Sequence, residues 1–128
     1  MDYLTAKQIM FIHSRLIKET GGSQGIHDLS ALLSAVGRPQ GSLDNQDLYP
    51  DLFAKAAALL DSLIRNHPFV DGNKRAGMTA AALLLRRNGY QLKTSQKELV
   101  RITLGVAQSQ LAIEEIAAWL EENSTPIK

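Results

Sequence analysis

The sequence contains no cysteine and no excess of charge of either sign, and both absences narrow the class of protein. Without cysteine there are no disulfides, no thiolate metal sites and no cysteine nucleophile, which fits a protein of the reducing cytoplasm. The 128 residues include 14 basic and 13 acidic side chains, so the charge is nearly balanced. Proteins that bind DNA or RNA broadly carry a basic excess, and we therefore expect no direct nucleic-acid binding.

A long hydrophobic run is also missing. The longest uncharged apolar stretch, residues 76–85, is about half of the roughly 20 residues that a membrane-spanning helix needs. The first residues lack the basic and apolar regions of a signal peptide. We therefore expect a cytoplasmic protein without a membrane segment. Its length suits a single domain, residues 1–128, with one buried core.

Helix signals dominate the pattern, and no convincing run of alternating strand residues is present. Thr5 with Gln8 and Ser95 with Glu98 form capping boxes ahead of apolar residues at helical spacing. Asp28 is placed to cap another helix. The pattern predicts an all-α bundle of about six helices, which begin near residues 6, 29, 50, 73, 96 and 113.

The longest segment without helix signals runs from Arg38 to Tyr49. It is polar and contains Pro, Gly, Asp and Asn, which favour turns, so we expect a loop with room for a short hairpin. Long loops in compact domains are often functional lids. Pro50, directly after it, suits the first residue of the third helix. The chain end, residues 123–128, is expected to fray.

One segment, residues 67–75, concentrates chemically active side chains between two apolar helices. It reads His-Pro-Phe-Val-Asp-Gly-Asn-Lys-Arg and leads into a helix start, where free N–H groups favour an anion. Gly72 lets a phosphate approach the backbone, and Asn73, Lys74 and Arg75 place donors around it. The segment therefore predicts a phosphate site.

His67 and Asp71 add a base and a carboxylate to this segment. A histidine side chain titrates near neutral pH, which suits a general base that takes a proton from an attacking hydroxyl. Mg²⁺ usually takes one or two carboxylates together with phosphate oxygens and water, so one aspartate beside a phosphate is enough. Each side chain alone can instead cap a helix, form a turn or lie on a solvated face. Their combination favours a phosphate site, although the spacing alone does not name the reaction.

The same segment resembles the core motif of the Fic/Doc superfamily, His-x-Phe-x-Asp/Glu-Gly/Ala-Asn-Gly/Lys-Arg, at every functional position. The likeness to the death-on-curing (Doc) branch continues outside the motif. It includes four further stretches, residues 21–29, 38–40, 48–50 and 88–90. The chain is therefore identified as a member of the Doc-like branch, which implies a compact helical fold, and the likeness covers nearly the whole chain.

The resemblance implies a role for each polar position of the motif. His67 would be the general base on a target hydroxyl, and Asp71 would hold Mg²⁺. Residues 38–49 resemble the flap that aligns a target segment beside the nucleotide in relatives. The phosphates of ATP would lie against the remaining polar positions and one arginine outside the motif: Gly72, Asn73, Lys74, Arg75 and Arg65.

Lys74 stands where most AMP-transferring Fic enzymes have glycine. Lysine fills the space that glycine leaves over the backbone and adds a charge, so a phosphate that would lie there must move. In the Doc branch, the resemblance implies a reversed nucleotide whose terminal phosphoryl group faces the base. The chain would then be a toxin of a toxin–antitoxin system, a protein Ser/Thr kinase that phosphorylates a threonine of elongation factor Tu and inhibits translation.

Pro68 and Gly72 match the Fic form, and AMP transfer to a hydroxyl is the first alternative.

The second alternative is a non-catalytic module that binds an antitoxin or the ribosome, although the intact motif argues against it. Many Fic proteins carry an inhibitory helix with the pattern Ser/Thr-x-x-x-Glu-Gly/Asn. Glu122 and Asn123 resemble its end, but Ala118 replaces the hydroxyl. We therefore expect a separate antitoxin that donates a helix or a tail near the flap. Outside the motif, His13 is interpreted as a surface or packing residue and His27 as a structural residue.

Overall fold

A computed structural model describes residues 1–128 and contains the six predicted helices. The all-α prediction is confirmed, and the strand pairs are too short to give an alternating pattern in the sequence. The helices are α1 (Ala6–Thr20), α2 (Leu29–Gly37), α3 (Leu52–Arg65), α4 (Asn73–Arg87), α5 (Gln96–Ala107) and α6 (Ile113–Glu122). The other regular elements are a 3-10 turn (Arg38–Gln40) and two antiparallel strand pairs, β1 (Ser42–Leu43) with β2 (Gln46–Asp47) and β3 (Tyr90–Leu92) with β4 (Ser124–Pro126).

Helix α3 is the central element of the core. Every residue from Lys55 to Ile64 is buried, and the helix packs mainly against α4 and α6. Gly77 allows α4 to approach closely, because a Cβ atom at this position would lie 2.9 Å from Cγ1 of Ile64. The close α3–α4 contact fixes the two ends of the connection that carries the motif. None of the helices combines the length and apolar character that crossing a membrane requires.

Helix caps explain where several helices begin. The capping box of Thr5 and Gln8 is complete, with both side chains bonded to backbone N–H groups. Asp28 caps α2 and Ser95 caps α5, as the sequence predicts. Only half of the predicted Ser95 box forms, because the Glu98 carboxylate binds two side chains, those of Arg101 and Trp119, instead of the backbone.

Two sequence-based expectations about helix and chain ends are wrong. Pro50 does not begin α3, because the Asp51 side chain accepts a hydrogen bond from the N–H of Ala54 at 2.9 Å and caps the helix, whose first residue is Leu52. The chain end is ordered through residue 126 instead of frayed. It pairs with β3, and the flanking residue Lys93 donates to the Asn123 carbonyl at 2.8 Å.

The segment between α2 and α3 contains a short hairpin, which the sequence analysis allowed for in residues 38–49. Asp44 and Asn45 form its turn with φ values of 52° and 65°, a left-handed pair that suits a two-residue hairpin turn. Lys55, buried in α3, donates to the Pro39 carbonyl at 3.1 Å and lies 3.4 Å from the Asp47 carboxylate. The hairpin is therefore attached to the core at its base, while its tip is exposed.

Candidate active site

The connection between α3 and α4 has a strained backbone at its first reactive residue. Helix α3 ends at Arg65, and the following Asn66 caps it. His67 then adopts a φ of 47°, in the left-handed region that few non-glycine residues occupy. Pro68 prevents the helix from continuing, as the sequence predicts. The His67 side chain is exposed, whereas Pro68 and Phe69 are buried and anchor the loop.

Most of the predicted site residues line one cleft of about 310 Å³. The cleft is open to solvent and bordered by the start of α4. Arg65 is the one predicted residue outside this lining. The predicted residues that the structure brings together here are His67, Asp71, Gly72, Asn73, Lys74 and Arg75.

Asp71 is held as a charged carboxylate by two backbone donors. Its Oδ2 accepts from the N–H of Ser23 at 3.1 Å, and its Oδ1 accepts from the N–H of Gly72 at 2.8 Å. These hydrogen bonds, the one from Ser23 first, lower the pKa of Asp71 below its usual value, and the nearby charge of Arg75 adds to the effect. Asp71 is therefore an anion at neutral pH, in the state that can hold a cation.

The cleft offers a cation a single protein carboxylate. No group of three or more histidine and acidic side chains in residues 1–128 lies close enough to hold a metal ion by itself. Mg²⁺ commonly binds in this way, with one carboxylate and with phosphate oxygens and water as the other ligands. The donor set at Asp71 therefore fits Mg²⁺ that arrives with a phosphate, and it does not fit a metal held by protein ligands alone.

Asn73 has a different contact from the one its sequence position suggests. Its side chain is buried, its Oδ1 accepts from the Phe69 N–H at 3.0 Å, and its Nδ2 donates to the Phe69 carbonyl at 3.0 Å. Both polar ends of the amide are thus used within the loop. Gly72, with a φ of 74°, takes the N-cap position of α4. If Asn73 contacts a phosphate, its backbone N–H would make the contact. The phosphate-binding role of Asn73 stays a prediction.

The two cations of the motif differ in how far they are engaged. Arg75 donates to the Thr20 hydroxyl and, at 3.1 Å, to the Gly21 carbonyl, and its guanidinium lies 4.0 Å from Asp71. Lys74 is exposed and forms no hydrogen bond or ion pair within the chain. Its charge is therefore available to an anion in the cleft.

Arg65 lies outside the lining of this cleft, in a charged cluster at the end of α3. Its guanidinium is 3.8 Å from the buried Asp61 carboxylate. Arg38 donates to the same carboxylate at 2.8 Å and to the Tyr49 hydroxyl at 2.9 Å. The cluster ties both ends of the segment 38–49 to α3, and a phosphate contact by Arg65 stays a prediction.

Residues 21–28 cover one side of the motif loop, a placement that sequence reasoning missed. The N–H groups of His27 and Asp28 donate to the Pro68 carbonyl at 2.8 and 3.0 Å, and Val70 donates to the Gly25 carbonyl at 3.1 Å. The stretch belongs to the family resemblance, but nothing in its composition shows what it contacts.

His13 also contacts the motif loop, although the sequence analysis did not assign it to the site. It is buried, its Nε2 lies 2.7 Å from the Asp71 carbonyl oxygen, and its ring stacks on Phe69 with centroids 3.8 Å apart. The interpretation of His13 as a surface residue is therefore wrong, and its interpretation as a packing residue is incomplete. One signal was available, because Ile9, His13 and Ile17 recur every four residues on one buried face of α1.

A second cleft, of about 420 Å³, adjoins the first and shares Lys74 and Arg75 with it. Its lining comes from α1, α4 and α5 and is largely apolar, with Leu16, Met78 and Leu99 among its residues. The site thus combines a charged part at the start of α4 with an apolar part along the neighbouring helices.

Comparison with known proteins identifies the family. The family described as Fic/DOC matches residues 3–85, and these include the whole motif. Toxin Doc of Mycolicibacterium smegmatis is 47% identical over 91 residues, which are 71% of this chain and 63% of that protein, so the match spans less than two thirds of this relative. Protein kinase doc of Escherichia phage P1 is 32% identical over 120 residues, 94% of each chain. The chain therefore belongs to the Doc branch of the Fic/Doc family.

Proposed function

We propose that the chain is the toxin of a toxin–antitoxin system and transfers the terminal phosphoryl group of ATP to a Ser or Thr hydroxyl of a target protein. The cleft at the start of α4 carries this proposal, because it gathers an exposed histidine, a charged aspartate and two cations. The names of the two relatives, a toxin and a protein kinase, support it.

The proposed reaction is one displacement at phosphorus. His67 takes the proton from the target hydroxyl, the hydroxyl oxygen bonds to the terminal phosphorus, and the bond from that phosphorus to the bridging oxygen breaks. ADP leaves with the electron pair. Such transfers depend mainly on positioning and on neutralising charge. Lys74 and Arg75 supply positive charge, and Mg²⁺ held by Asp71 with the phosphates would supply the rest.

The nucleoside would lie in the adjoining apolar cleft. That cleft shares Lys74 and Arg75 with the first, so a nucleotide can place its phosphates at α4 and its base between α4 and α5. The free lysine occupies the position that is glycine in most AMP-transferring relatives. Its bulk supports the orientation in which the terminal phosphate, rather than the α-phosphate, faces His67.

Exposed apolar side chains offer contact surfaces for the proposed target and antitoxin. Leu43 and Leu48, on the hairpin segment, are 67% and 54% exposed and suit contact with a target segment. The family resemblance makes a threonine of elongation factor Tu the proposed target, with inhibition of translation as the result. Val100 and Leu104, on the rim of the apolar cleft, suit cover by an antitoxin helix or tail. The proposed setting is the cytoplasm.

A paired transfer assay tests the proposal. The purified chain, Mg²⁺ and a bacterial lysate are given ATP labelled on either the γ- or the α-phosphate, with His67→Ala as the control. Label that reaches a protein only from the γ-phosphate supports the kinase, and the labelled band identifies the target. Label from the α-phosphate makes the enzyme an AMP transferase. No label, with growth inhibition intact in His67→Ala, supports the non-catalytic module.

The variant Lys74→Gly tests the orientation argument in the same assay. If lysine bulk and charge set the orientation, this variant shifts labelling from the γ- towards the α-phosphate. An unchanged ratio would show that another feature of the cleft orients the nucleotide.

A further inference from the structure

His13 on helix α1 makes two contacts with the motif loop, one polar and one apolar. Its Nε2 lies 2.7 Å from the main-chain oxygen of Asp71. Its ring is parallel to that of Phe69, with an interplanar angle of 4° and centroids 3.8 Å apart. The backbone N–H and carbonyl groups of Phe69 are in turn hydrogen-bonded to the side chain of Asn73. The histidine therefore contacts the loop on both sides of Val70.

The polar contact fixes the proton on the imidazole. A carbonyl oxygen only accepts hydrogen bonds, so Nε2 of His13 carries a proton and donates a hydrogen bond to the main-chain carbonyl oxygen of Asp71. The side chain is 3% exposed, so water cannot replace this donor without a change in packing. The donor is aimed at the main chain of the residue whose carboxylate faces the cleft.

The rest of α1 supports the same loop. A Cβ atom on Gly72 would lie 2.9 Å from Cδ1 of Ile17, one turn after His13. Thr20 and Gly21, at the end of the helix, accept hydrogen bonds from Arg75. Helix α1 and the residue that caps its end thus lie against Asp71, Gly72 and Arg75 of the motif.

We infer that His13 is a positioning residue, which holds the backbone of Asp71 through its Nε2–H and thereby aims the Asp71 carboxylate at the Mg²⁺–nucleotide. The part of this inference that concerns the reaction rests on the proposed function. The part that concerns the loop does not, because the contacts are present in the chain alone. Outer residues of this kind commonly change metal affinity or activity by about 10- to 100-fold when they are replaced.

Two substitutions separate the polar contact from the apolar one. His13→Phe keeps a ring to stack on Phe69 and removes the donor. His13→Gln keeps an amide N–H that can reach the Asp71 carbonyl and removes the ring. Phe11→Gln is the control, because Phe11 is 60% exposed on the same helix and its ring lies beside Arg15 of that helix.

Hydrogen exchange of the free protein tests the loop without any nucleotide. We expect the amides of Val70 and Gly72 to exchange about tenfold faster or more in His13→Phe, with α3 and α5 unchanged, and to stay near wild type in His13→Gln and Phe11→Gln. Unchanged exchange in His13→Phe overturns the inference. A loss of protection in His13→Gln equal to that in His13→Phe also overturns it, because an N–H donor at position 13 would then not be enough to hold the loop. If His13→Phe does not fold, His13→Gln alone decides between these outcomes.

Nucleotide binding and transfer test the functional part. We expect His13→Phe to raise the Mg²⁺ concentration for half-maximal nucleotide binding, measured by calorimetry, and to lower kcat by about 10- to 100-fold, whereas His13→Gln largely restores both. Wild-type values in His13→Phe overturn this part. A wild-type chain that neither binds nor transfers would reject the proposed function instead, and the exchange experiment would still decide the role of His13 in the loop.

Discussion

Helices α3 and α4 and the loop that joins them are held in place by different kinds of contact. The helices are fixed by apolar packing, with Leu59, Leu60 and Leu63 buried in α3. The loop is buried at Pro68 and Phe69 and is otherwise fixed by hydrogen bonds from distant segments, while His67 and Val70 on it are exposed. The difference shows how a loop can expose reactive side chains to solvent while its backbone is held in one conformation. Stability and activity should therefore respond to different substitutions.

The largest expected effect is on activity and comes from the loop. His67→Asn removes the proposed base and should lower the transfer rate by about 10²- to 10⁴-fold. The same change should leave the free energy of unfolding unchanged or raise it by up to about 1 kcal/mol, because asparagine accepts the left-handed conformation at φ 47° well. The rate is measured with labelled ATP, and the stability by urea unfolding. A large loss of stability would mean that the histidine side chain supports the fold.

The helix core should show the reverse. Leu60→Ala removes a fully buried side chain from α3 and should lower the free energy of unfolding by about 2–5 kcal/mol. The folded fraction should keep a transfer rate close to wild type, because Leu60 does not line the cleft. Leu33→Ala is the matched control, since Leu33 is 53% exposed on α2 and should change stability by less than about 0.5 kcal/mol. Equal losses in the two variants would contradict the burial argument.

A pair of neighbouring glycines tests the contact between the N-terminal loop and the motif. Both have positive φ, 90° at Gly21 and 119° at Gly22, so alanine strains the backbone at either position. Only at Gly22 would the new Cβ meet the site, at 2.6 Å from Oδ2 of Asp71. Gly22→Ala should therefore lower the transfer rate by about 10- to 100-fold through displacement of that carboxylate.

Gly21→Ala is the control for strain, because no atom lies within 4 Å of its new Cβ. It should lose similar stability and keep most of its activity. The two rates are measured with labelled ATP at saturating Mg²⁺, and the stabilities by urea unfolding. If the two variants lose activity equally, strain of the backbone rather than contact with Asp71 is responsible.

The same contrast explains what could be predicted from the sequence. The helices follow from apolar spacing and from caps such as Thr5 and Asp28, which are local signals. Apart from Ala107, the residues that line the cleft lie between positions 64 and 75, so their closeness also follows from their positions in the chain. The contacts of His13 and Ser23 with Asp71 do not, because they join positions 58 and 48 residues apart.

Asn73 illustrates why a residue's role in the site could not be predicted even where its position could. The sequence placed it at the start of α4 among donors for a phosphate. In the fold its amide bonds both polar groups of the Phe69 backbone, because the loop turns back onto the helix start. That turn depends on left-handed backbone at His67 and Gly72, and neither residue type demands such a conformation.

The smallest expected effect concerns Glu98, a carboxylate outside the loop whose pKa is lowered like that of Asp71. Asp71 in the loop is stabilised by backbone N–H groups, whereas Glu98 on α5 is stabilised by Arg101 and then by Trp119 of α6, which lower its pKa from 4.5 to about 2. Because the folded pKa of Glu98 is lower than the unfolded one, its contribution is complete above pH 4.5 and is lost as the pH falls towards 2.

Glu98→Gln should therefore reduce the fall in melting temperature between pH 4.5 and pH 2. Thermal unfolding followed by circular dichroism at several pH values measures the difference. High salt should diminish it, because the pair with Arg101 is exposed and screened. The transfer rate at neutral pH should not change, because Glu98 lies outside the cleft at the motif. An identical pH profile in the variant would show that the contacts of Glu98 with Arg101 in α5 and with Trp119 in α6 contribute nothing measurable to stability.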